Sequence, residues 1–312
     1  MLDRIQIAYL KIVLAMFFWG GSYHAAKYLV KDLDPYTCSA LRWGIASIIL
    51  AVMLFRKKSF TGFIQPLRYW PVIIGIGLFA ICLYNILFFA AEGVLPANLV
   101  AIIISITPCI TVIFSRIFFK EPLNYLTITG IIVAFCGAVF AINLSDSNCG
   151  RLWCPNLIHD LNYGELLAFF MSVGSAIYSL LLKKSARIGM DGLTITTLSS
   201  IVGAILLIII AIFKGNYMAI FSLSMHNWWL MLYTAVFASV LGYKWYSDGV
   251  KEIKVSQAVV FVNTIPLAAI IVGILFFNTP VTGLFFVTAI IVIIGVIITN
   301  YSLLNRFETT GA

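Results

Sequence analysis

Charged residues are scarce in this chain: only 10% of its 312 residues are Asp, Glu, Lys or Arg, whereas 62% are hydrophobic. Soluble domains carry about 25% charged residues. A chain with so few charges has no means of covering a surface that faces water, so a soluble globular protein is excluded. The mean hydropathy of +1.04 predicts that most of the chain lies in a lipid bilayer.

Catalytic motifs are missing as well. The sequence has no Gly-rich P-loop, which excludes direct use of ATP by this chain, and its 3 histidines lack the H-E-x-x-H spacing of a zinc enzyme. An intramembrane enzyme is therefore disfavoured, and no metal or other cofactor is expected. The net charge of +8 does not require a nucleic-acid partner, because membrane orientation explains most of the basic residues.

The chain has 6 cysteines, and two of them are close together in the polar segment SDSNCGRLWCPNLIHD. Cys149 and Cys154 are predicted to form a disulfide if this loop faces an oxidising compartment, and to stay reduced otherwise. The remaining thiols lie in apolar segments, where a cysteine usually packs as a small apolar residue; they are Cys38, Cys82, Cys109 and Cys136.

Long apolar runs are what the chain has in abundance. Runs of roughly 18 or more apolar residues with few charges predict transmembrane helices. The first is too long for a cleaved signal peptide. Most of the 20 Lys and Arg residues fall on the side of the two termini, which predicts that both termini are cytoplasmic. We predict ten spans, at residues 8–29, 36–55, 70–91, 95–115, 124–144, 163–182, 192–213, 227–248, 255–277 and 281–304.

The second half of the sequence repeats a pattern of the first. The segment FFKEP returns as FFNTP 158 residues later, and the same offset aligns Pro108 with Pro266 and Gly137 with Gly295. Each half holds five predicted spans, and five is odd, so the halves enter the membrane from opposite sides. The predicted fold is an all-α, polytopic membrane protein of ten transmembrane helices in two inverted five-helix repeats. This architecture is associated with alternating access.

These features resemble the drug/metabolite transporter superfamily, EamA branch. The resemblance is carried by FFWGGSYHAAKYLVKDLDPYTCSALRW, by ANLVAIIISITPCITVIFSRIFFKEP with GIIVAFCGAVF, and by the recurrence of that second pattern near the C-terminus. Thr279 departs from the family pattern, which has an acidic residue there, and Glu92 lies in a usually uncharged stretch. The resemblance implies export of amino acids, other metabolites or toxic organic compounds across a bacterial inner membrane.

The predicted organisation follows the repeat. Residues 1–146 form the first EamA-like repeat, 147–162 an outward-facing loop, 163–304 the second repeat, and 305–312 a cytoplasmic tail. Two prolines, Pro108 and Pro266, are predicted hinges, because proline frees a backbone carbonyl one turn earlier. Polar residues on the same helical faces are predicted to line a shared cavity, and helix packing is the alternative.

Basic residues mark one end of the predicted substrate site. His24 and Lys27 share a face of the first span, and Arg42 lies several residues into the second. Such a cluster favours an anionic group such as a carboxylate. Two alternatives stay open: Lys27 extends to the membrane interface, and Arg42 pairs with Asp32 or Asp34.

Aromatic and polar residues inside the spans complete the candidate site, because amphipathic rings suit a cavity for a flat or zwitterionic solute. Two carboxylates are candidates for proton coupling, Asp248 and Glu165, although a local ion pair with Lys244 is the alternative for Asp248. The predicted substrate-binding residues are Trp19, Tyr23, His24, Lys27, Arg42, Tyr84, Asn85, Asn98, Ser105, Tyr178, Trp245 and Asn263.

The predicted function is secondary active transport of small organic metabolites by alternating access, with amino acids or related compounds as substrates and export as the direction. A flippase for lipids or lipid-linked phosphates and an uptake or exchange carrier for nucleotide-like metabolites are the alternatives. The expected partners are a small-molecule substrate and the bilayer, without nucleic acid, and the expected assembly is a monomer or a homodimer.

Overall fold

The computed structural model describes residues 4–57, 69–119, 125–145, 163–187, 192–252, 261 and 264–309, and every regular element in these ranges is a helix. We number the main helices α1 (Arg4–Leu29), α2 (Pro35–Lys57), α3 (Trp70–Val94), α4 (Ala97–Ile104 and Thr107–Phe119), α5 (Tyr125–Ser145), α6 (Tyr163–Arg187), α7 (Gly192–Lys214), α8 (Met225–Leu232, Tyr233–Leu241 and Gly242–Glu252, continuous), α9 (Ile265–Phe277) and α10 (Gly283–Thr309).

Seven helices in the described part of the chain, α1 to α7, are long and apolar enough to cross a membrane. The apolar stretches Ile265–Phe277 and Gly283–Thr299 are shorter. In α8 the charged segment Gly242–Glu252 lowers the hydropathy, and most of the sequence before α9 lies outside the described residues. The chain is a multi-pass membrane protein, and the predicted ten spans and their inversion stay predictions.

Helix packing follows one scheme in both halves of the chain. α1 packs against α8 and α9, and α6 packs against α3 and α4. α2 lies along α7, and α5 lies along α10. If each helix of the first half is replaced by its counterpart in the second half (α1 by α6, α2 by α7, and so on) and the reverse, the same pairs of helices remain in contact.

α5 and α10 come close together because small residues face each other. A Cβ added at Gly137 would lie 2.9 Å from the backbone nitrogen of Val292, and one at Gly295 would collide with the backbone of Ala134. These distances leave no room for a larger side chain at either glycine. Close approach at small residues is a common way for membrane helices to associate.

The two repeated prolines lie next to interruptions or starts of helices. α4 is interrupted at residues 105–106 and continues from Thr107, one residue before Pro108. α9 begins at Ile265, with Pro266 in its first turn. Proline lacks an N–H group and its ring clashes with a preceding helical turn. Both prolines lie in the first turn of a helical segment, where that N–H would have no partner within the helix and no turn of the same segment precedes the ring. Hinge motion at these sites stays a prediction.

A carboxylate fixes the loop between α1 and α2. Asp34 accepts hydrogen bonds from the backbone N–H groups of Tyr36 and Thr37 at 2.9 and 3.0 Å, and so caps α2. It also accepts one from the backbone N–H of Asn216 at 2.8 Å, which ties α2 to the loop after α7. Burial alone raises the pKa of Asp34, but its hydrogen bonds outweigh burial and hold the pKa below the ordinary value of 3.8.

We expect Asp34→Ala to destabilise the fold by about 1 kcal/mol, the usual cost of a lost N-cap. Asp34→Asn, which keeps one acceptor, should cost less. Because the folded-state pKa is lowered, this stabilisation is present above the unfolded pKa and is lost as the pH falls through the folded pKa, below about 3.9. Thermal unfolding in detergent at neutral and acidic pH measures both effects. An unchanged unfolding temperature for Asp34→Ala at neutral pH would contradict the cap.

Candidate functional site

A buried arginine lies inside the helix bundle. Arg42, on α2, is 6% exposed, and its Nε donates a hydrogen bond to Oγ of Ser239 on α8 at 2.9 Å. Among the residues that the structure describes, no carboxylate forms an ion pair with it. Arginine keeps its charge at physiological pH, and a buried cation without a counter-charge is energetically costly.

Aromatic side chains surround this guanidinium. The ring centres of Phe88 and Trp43 lie 5.5 and 6.0 Å from its central carbon Cζ. Ring faces carry partial negative charge and attract a cation. We name the set below the Arg42 cluster. It consists of Arg42, Phe88 and four tyrosines in the neighbourhood of the guanidinium, Tyr23, Tyr84, Tyr233 and Tyr243.

Ring contacts hold the Arg42 cluster together across three helices. Tyr84 and Phe88 of α3 are nearly parallel, with centroids 6.3 Å apart. Tyr23 of α1 meets Phe88 edge-to-face at 5.3 Å. Trp19, also on α1, meets Tyr243 of α8 edge-to-face at 5.4 Å. The interior of the bundle therefore has hydroxyl groups and one cation between packed rings.

Two π-helical segments help to place these tyrosines. Gly77–Leu83 lies within α3, directly before Tyr84, and Tyr233–Leu241 lies within α8. A π-helix has more residues in each turn than an α-helix, so it rotates the side chains that follow, and such segments are frequent at functional sites. α3 and α8 are equivalent in the packing scheme, so both halves of the chain use the same device.

A narrow cleft adjoins the Arg42 cluster. In this conformation it admits little more than a single water molecule, and Trp43, Tyr178 and Tyr243 are its largest lining side chains. Ile76 and Ile195 also line it, and both are near the first residues of their helices, α3 and α7. The cleft therefore lies towards the end of the bundle where α3 and α7 begin.

Two basic residues near the end of α1, His24 and Lys27, are bound within the protein at the opposite end. Nε2 of His24 lies 2.8 Å from the carbonyl oxygen of Ala269 on α9, and its ring stacks on Phe277 at 5.1 Å. Nζ of Lys27 donates to the carbonyl of Leu95 at 2.9 Å. Both side chains bind backbone carbonyls at this end of the bundle, and neither joins the Arg42 cluster.

The predicted polar lining is dispersed. Asn85 donates to the carbonyl of Ile81 at 2.8 Å, and Ser105 donates to the carbonyl of Ile102 at 2.6 Å. Asn98 is buried near His24. Trp245 packs against Phe18, whose carbonyl accepts a hydrogen bond from Tyr233 of the cluster. Three further predicted residues lie outside the part of the chain that the structure describes: Asn263, Cys149 and Cys154.

The carboxylates suggested as partners of Arg42 bind elsewhere, so that alternative was wrong. Asp34 caps α2, and Asp32 accepts a hydrogen bond from the side-chain amide of Asn227. Of the two carboxylates suggested for proton coupling, Asp248 forms the expected ion pair with Lys244, with Nζ and Oδ2 2.5 Å apart. The other, Glu165 in the first turn of α6, is 7% exposed.

Sequence analysis missed several residues of the site, namely Phe88, Tyr233, Tyr243 and Ser239. A hydroxyl-bearing ring well inside an apolar span was the signal that selected Tyr84 and Tyr178, and it would have selected Tyr233 as well. Ser239 offered no signal, because its partner Arg42 lies 197 positions away in sequence.

A bundle in which seven helices are long and apolar enough to cross a membrane defines a multi-pass membrane protein. The model of the EamA-like transporter family matches the chain over residues 6–143 and again over residues 162–301. The chain belongs to this family, within the drug/metabolite transporter superfamily, which confirms the resemblance. It is a transporter of small molecules and not an enzyme.

Known relatives agree with this membership. The chain is 28% identical to "Uncharacterized transporter YyaM" of Bacillus subtilis (strain 168) over 292 residues, which cover 93% of this chain and 92% of the relative. It is 27% identical over 277 residues to an "Uncharacterized transporter" of Archaeoglobus fulgidus, with coverages of 87% and 90%. A crystal structure at 18% identity superposes with a TM-score of 0.66 over 96% of this chain and 98% of that chain, so the fold is shared.

Proposed function

We propose that the protein is a secondary active transporter of amino acids or related metabolites, and that Arg42 binds the substrate's carboxylate. The observation that carries this proposal is a buried guanidinium that the described part of the chain leaves without a counter-charge. A substrate carboxylate supplies that charge, and a guanidinium binds a carboxylate through two parallel N–H···O hydrogen bonds. Ser239 accepts from Nε and thereby fixes the direction of the remaining N–H groups.

The rest of the Arg42 cluster suits the remainder of such a substrate. Ring faces of Tyr84 and Phe88 attract an ammonium group, and phenol hydroxyl groups provide both donors and acceptors. An amino acid presents a carboxylate and an ammonium group close together, so it matches a site with one arginine and several tyrosines. A phosphate would also match Arg42, and the experiment below separates these substrate classes.

Alternating access is the mechanism that we propose. Its support is the repeated family match, the packing scheme that survives exchange of the two halves, and the equivalent positions of Pro108 and Pro266. In this conformation the cleft lies at one end of the bundle, and His24 and Lys27 bind backbone carbonyls at the other. The second state opens the contacts of α1 with α9 and closes the cleft around Tyr178.

The proposed topology follows the basic residues. It places residues 1–146 and 163–304 as inverted repeats in a bacterial inner membrane, with both termini in the cytoplasm. The cleft then faces the cytoplasm, as export requires of the state that takes up its substrate.

Purified protein in liposomes is expected to exchange radiolabelled L-amino acids without ATP, several-fold faster than protein-free liposomes. Nucleotide sugars and a fluorescent phospholipid are tested in parallel as the other substrate classes. Thermal stabilisation by individual compounds then ranks the substrates, because a ligand of the folded state raises its apparent stability. Movement of the phospholipid or of a nucleotide sugar, with no movement of any amino acid, would overturn the proposal.

A further inference from the structure

A second ionisable side chain is buried apart from the Arg42 cluster. Glu92, in the last turns of α3, is 0% exposed, and neither of its carboxyl oxygens has a hydrogen-bond partner among the described residues. Lys27 reaches the backbone beside Glu92, but its Nζ donates to the carbonyls of Leu95 and Gly93, at 2.9 and 3.5 Å. An ionised carboxylate without a direct partner is costly in such a place, so this conformation favours the protonated carboxyl.

The other ionisable groups around Glu92 do not replace a direct partner. The helices packed against this half of α3 are α1, α2, α4 and α6. The facing segment of α4, Ala97–Ile104, has no titratable residue. Gly164 of α6 lies against Val94 and Leu95, which brings the first turn of α6 to the same end. At this end of these helices the titratable groups are Tyr23, His24, Lys27 and Tyr28 of α1, Tyr36, Cys38 and Arg42 of α2, Tyr84 of α3 itself, and Tyr163 and Glu165 of α6.

A row of side chains connects Glu92 with the Arg42 cluster. Tyr84, Phe88 and Glu92 are four residues apart in turn, so they lie along one face of α3 over about 12 Å. Tyr23 of α1 packs on Phe88 edge-to-face, with ring centroids 5.3 Å apart. The Phe88 ring in turn lies 5.5 Å from Cζ of Arg42. Packed side chains therefore link the part of α3 that carries Glu92 with the side chain of Arg42.

We propose that Glu92 is the proton-binding site that couples transport to a pH gradient. It holds its proton in the conformation described here. When contacts between α1 and α9 open, water reaches this end of the bundle and the carboxyl exchanges protons with the outer solution. Its O–H bond breaks as a water molecule takes the proton and the carboxylate pairs with Lys27, and the reverse step loads a proton that returns inward with the protein, as export driven by a pH gradient requires. This inference rests on the proposed transport function, and it assigns to Glu92 a role for which the sequence favoured Asp248 or Glu165.

Infrared spectroscopy tests the protonation of Glu92 without any substrate. The difference spectrum of wild type minus Glu92→Gln in lipid is expected to show the C=O band of a protonated carboxyl at neutral pH. The matched difference for Asp248→Asn should show ionised carboxylate bands instead, because Asp248 is paired with Lys244. Absence of the protonated band for Glu92 at every pH between about 5 and 9 would overturn the proposal.

Transport in liposomes tests the coupling. In wild type, a pH gradient should drive accumulation of radiolabelled L-amino acids, up to about tenfold per pH unit if one proton moves with each substrate. Glu92→Gln should lose this accumulation and keep exchange at equal concentrations on both sides. Glu92→Asp keeps a carboxyl, so it should accumulate substrate with a shifted pH dependence, and it replaces Glu92→Gln if that variant does not fold.

Each remaining outcome has a defined meaning. If Glu92→Gln accumulates amino acids as wild type does, Glu92 is not the proton-binding site. The same conclusion follows if the pH dependence of accumulation by Glu92→Asp is the same as that of wild type. If a folded Glu92→Gln variant loses exchange, Glu92 is a substrate contact instead. If only Glu165→Gln loses coupling to the pH gradient, Glu165 of α6 is the proton-binding residue. Wild-type protein that transports no amino acid contradicts the proposed function, and the infrared result then decides the protonation of Glu92 alone.

Discussion

Arg42→Ala is expected to reduce amino-acid exchange in liposomes at least about 100-fold. In the proposed site the guanidinium of Arg42 pairs with the substrate carboxylate. Removing one partner of a buried, hydrogen-bonded charge pair costs about 2–5 kcal/mol. A loss of about 2.7 kcal/mol already corresponds to 100-fold. Arg42→Lys should retain part of the activity, because it keeps the charge but not the planar fork that binds a carboxylate through two hydrogen bonds.

Two comparisons separate a substrate contact from a structural role. Arg56, at the exposed end of the same helix, provides the matched control, and Arg56→Ala should exchange amino acids like wild type. An amino-acid amide lacks the carboxylate, so wild type should transport it poorly and Arg42→Ala should weaken its transport little further. Normal exchange by a folded Arg42→Ala variant would contradict the proposed site.

Gly295→Leu is expected to abolish folded protein. Even a Cβ at this position would collide with the backbone of Ala134, so α5 and α10 would have to separate to admit a larger side chain. Overpacking a core by a methylene or two costs about 1–3 kcal/mol, and a clash with backbone relaxes less readily than one with a side chain. Size-exclusion chromatography of detergent-solubilised protein should show loss of the monodisperse peak.

Gly283 provides a control on the same helix. A Cβ added there meets no atom within 4 Å, so Gly283→Leu should elute and unfold like wild type. Gly295→Ala should fall between the two leucine variants, because its added methyl group is small but still in contact with α5. A monodisperse Gly295→Leu with the unfolding temperature of wild type would show that α5 and α10 are not packed as described.

Most of the membrane fold was predictable from sequence because hydropathy and repetition are local properties. Length and composition alone identify the seven spans from α1 to α7. The spans predicted at 227–248 and 255–277 are less clear, because the charged end of α8 and the segment before α9 weaken the apolar signal. Pro108 and Pro266 were recognisable as a pair because equivalent backbone positions in the two halves need the same residue.

The candidate site was only partly predictable. A charge inside an apolar span indicated Arg42 from sequence alone, because burying a charge without a function is rarely tolerated. The residues that surround Arg42 could not be predicted in this way. Asp32 and Asp34 are its closest carboxylates in sequence and bind other groups, whereas Ser239 lies 197 positions away and accepts its hydrogen bond.

The sequence by itself determined that this chain spans a membrane, repeats its pattern, and buries several ionisable residues. Only the tertiary structure decided which of those residues meet. Tyr23 and His24 are neighbours in sequence, but successive residues of an α-helix point about 100° apart. One therefore faces α3 and the Arg42 cluster, and the other faces α9. The direction of each face depends on which helices pack around α1, and that packing is a property of the whole chain.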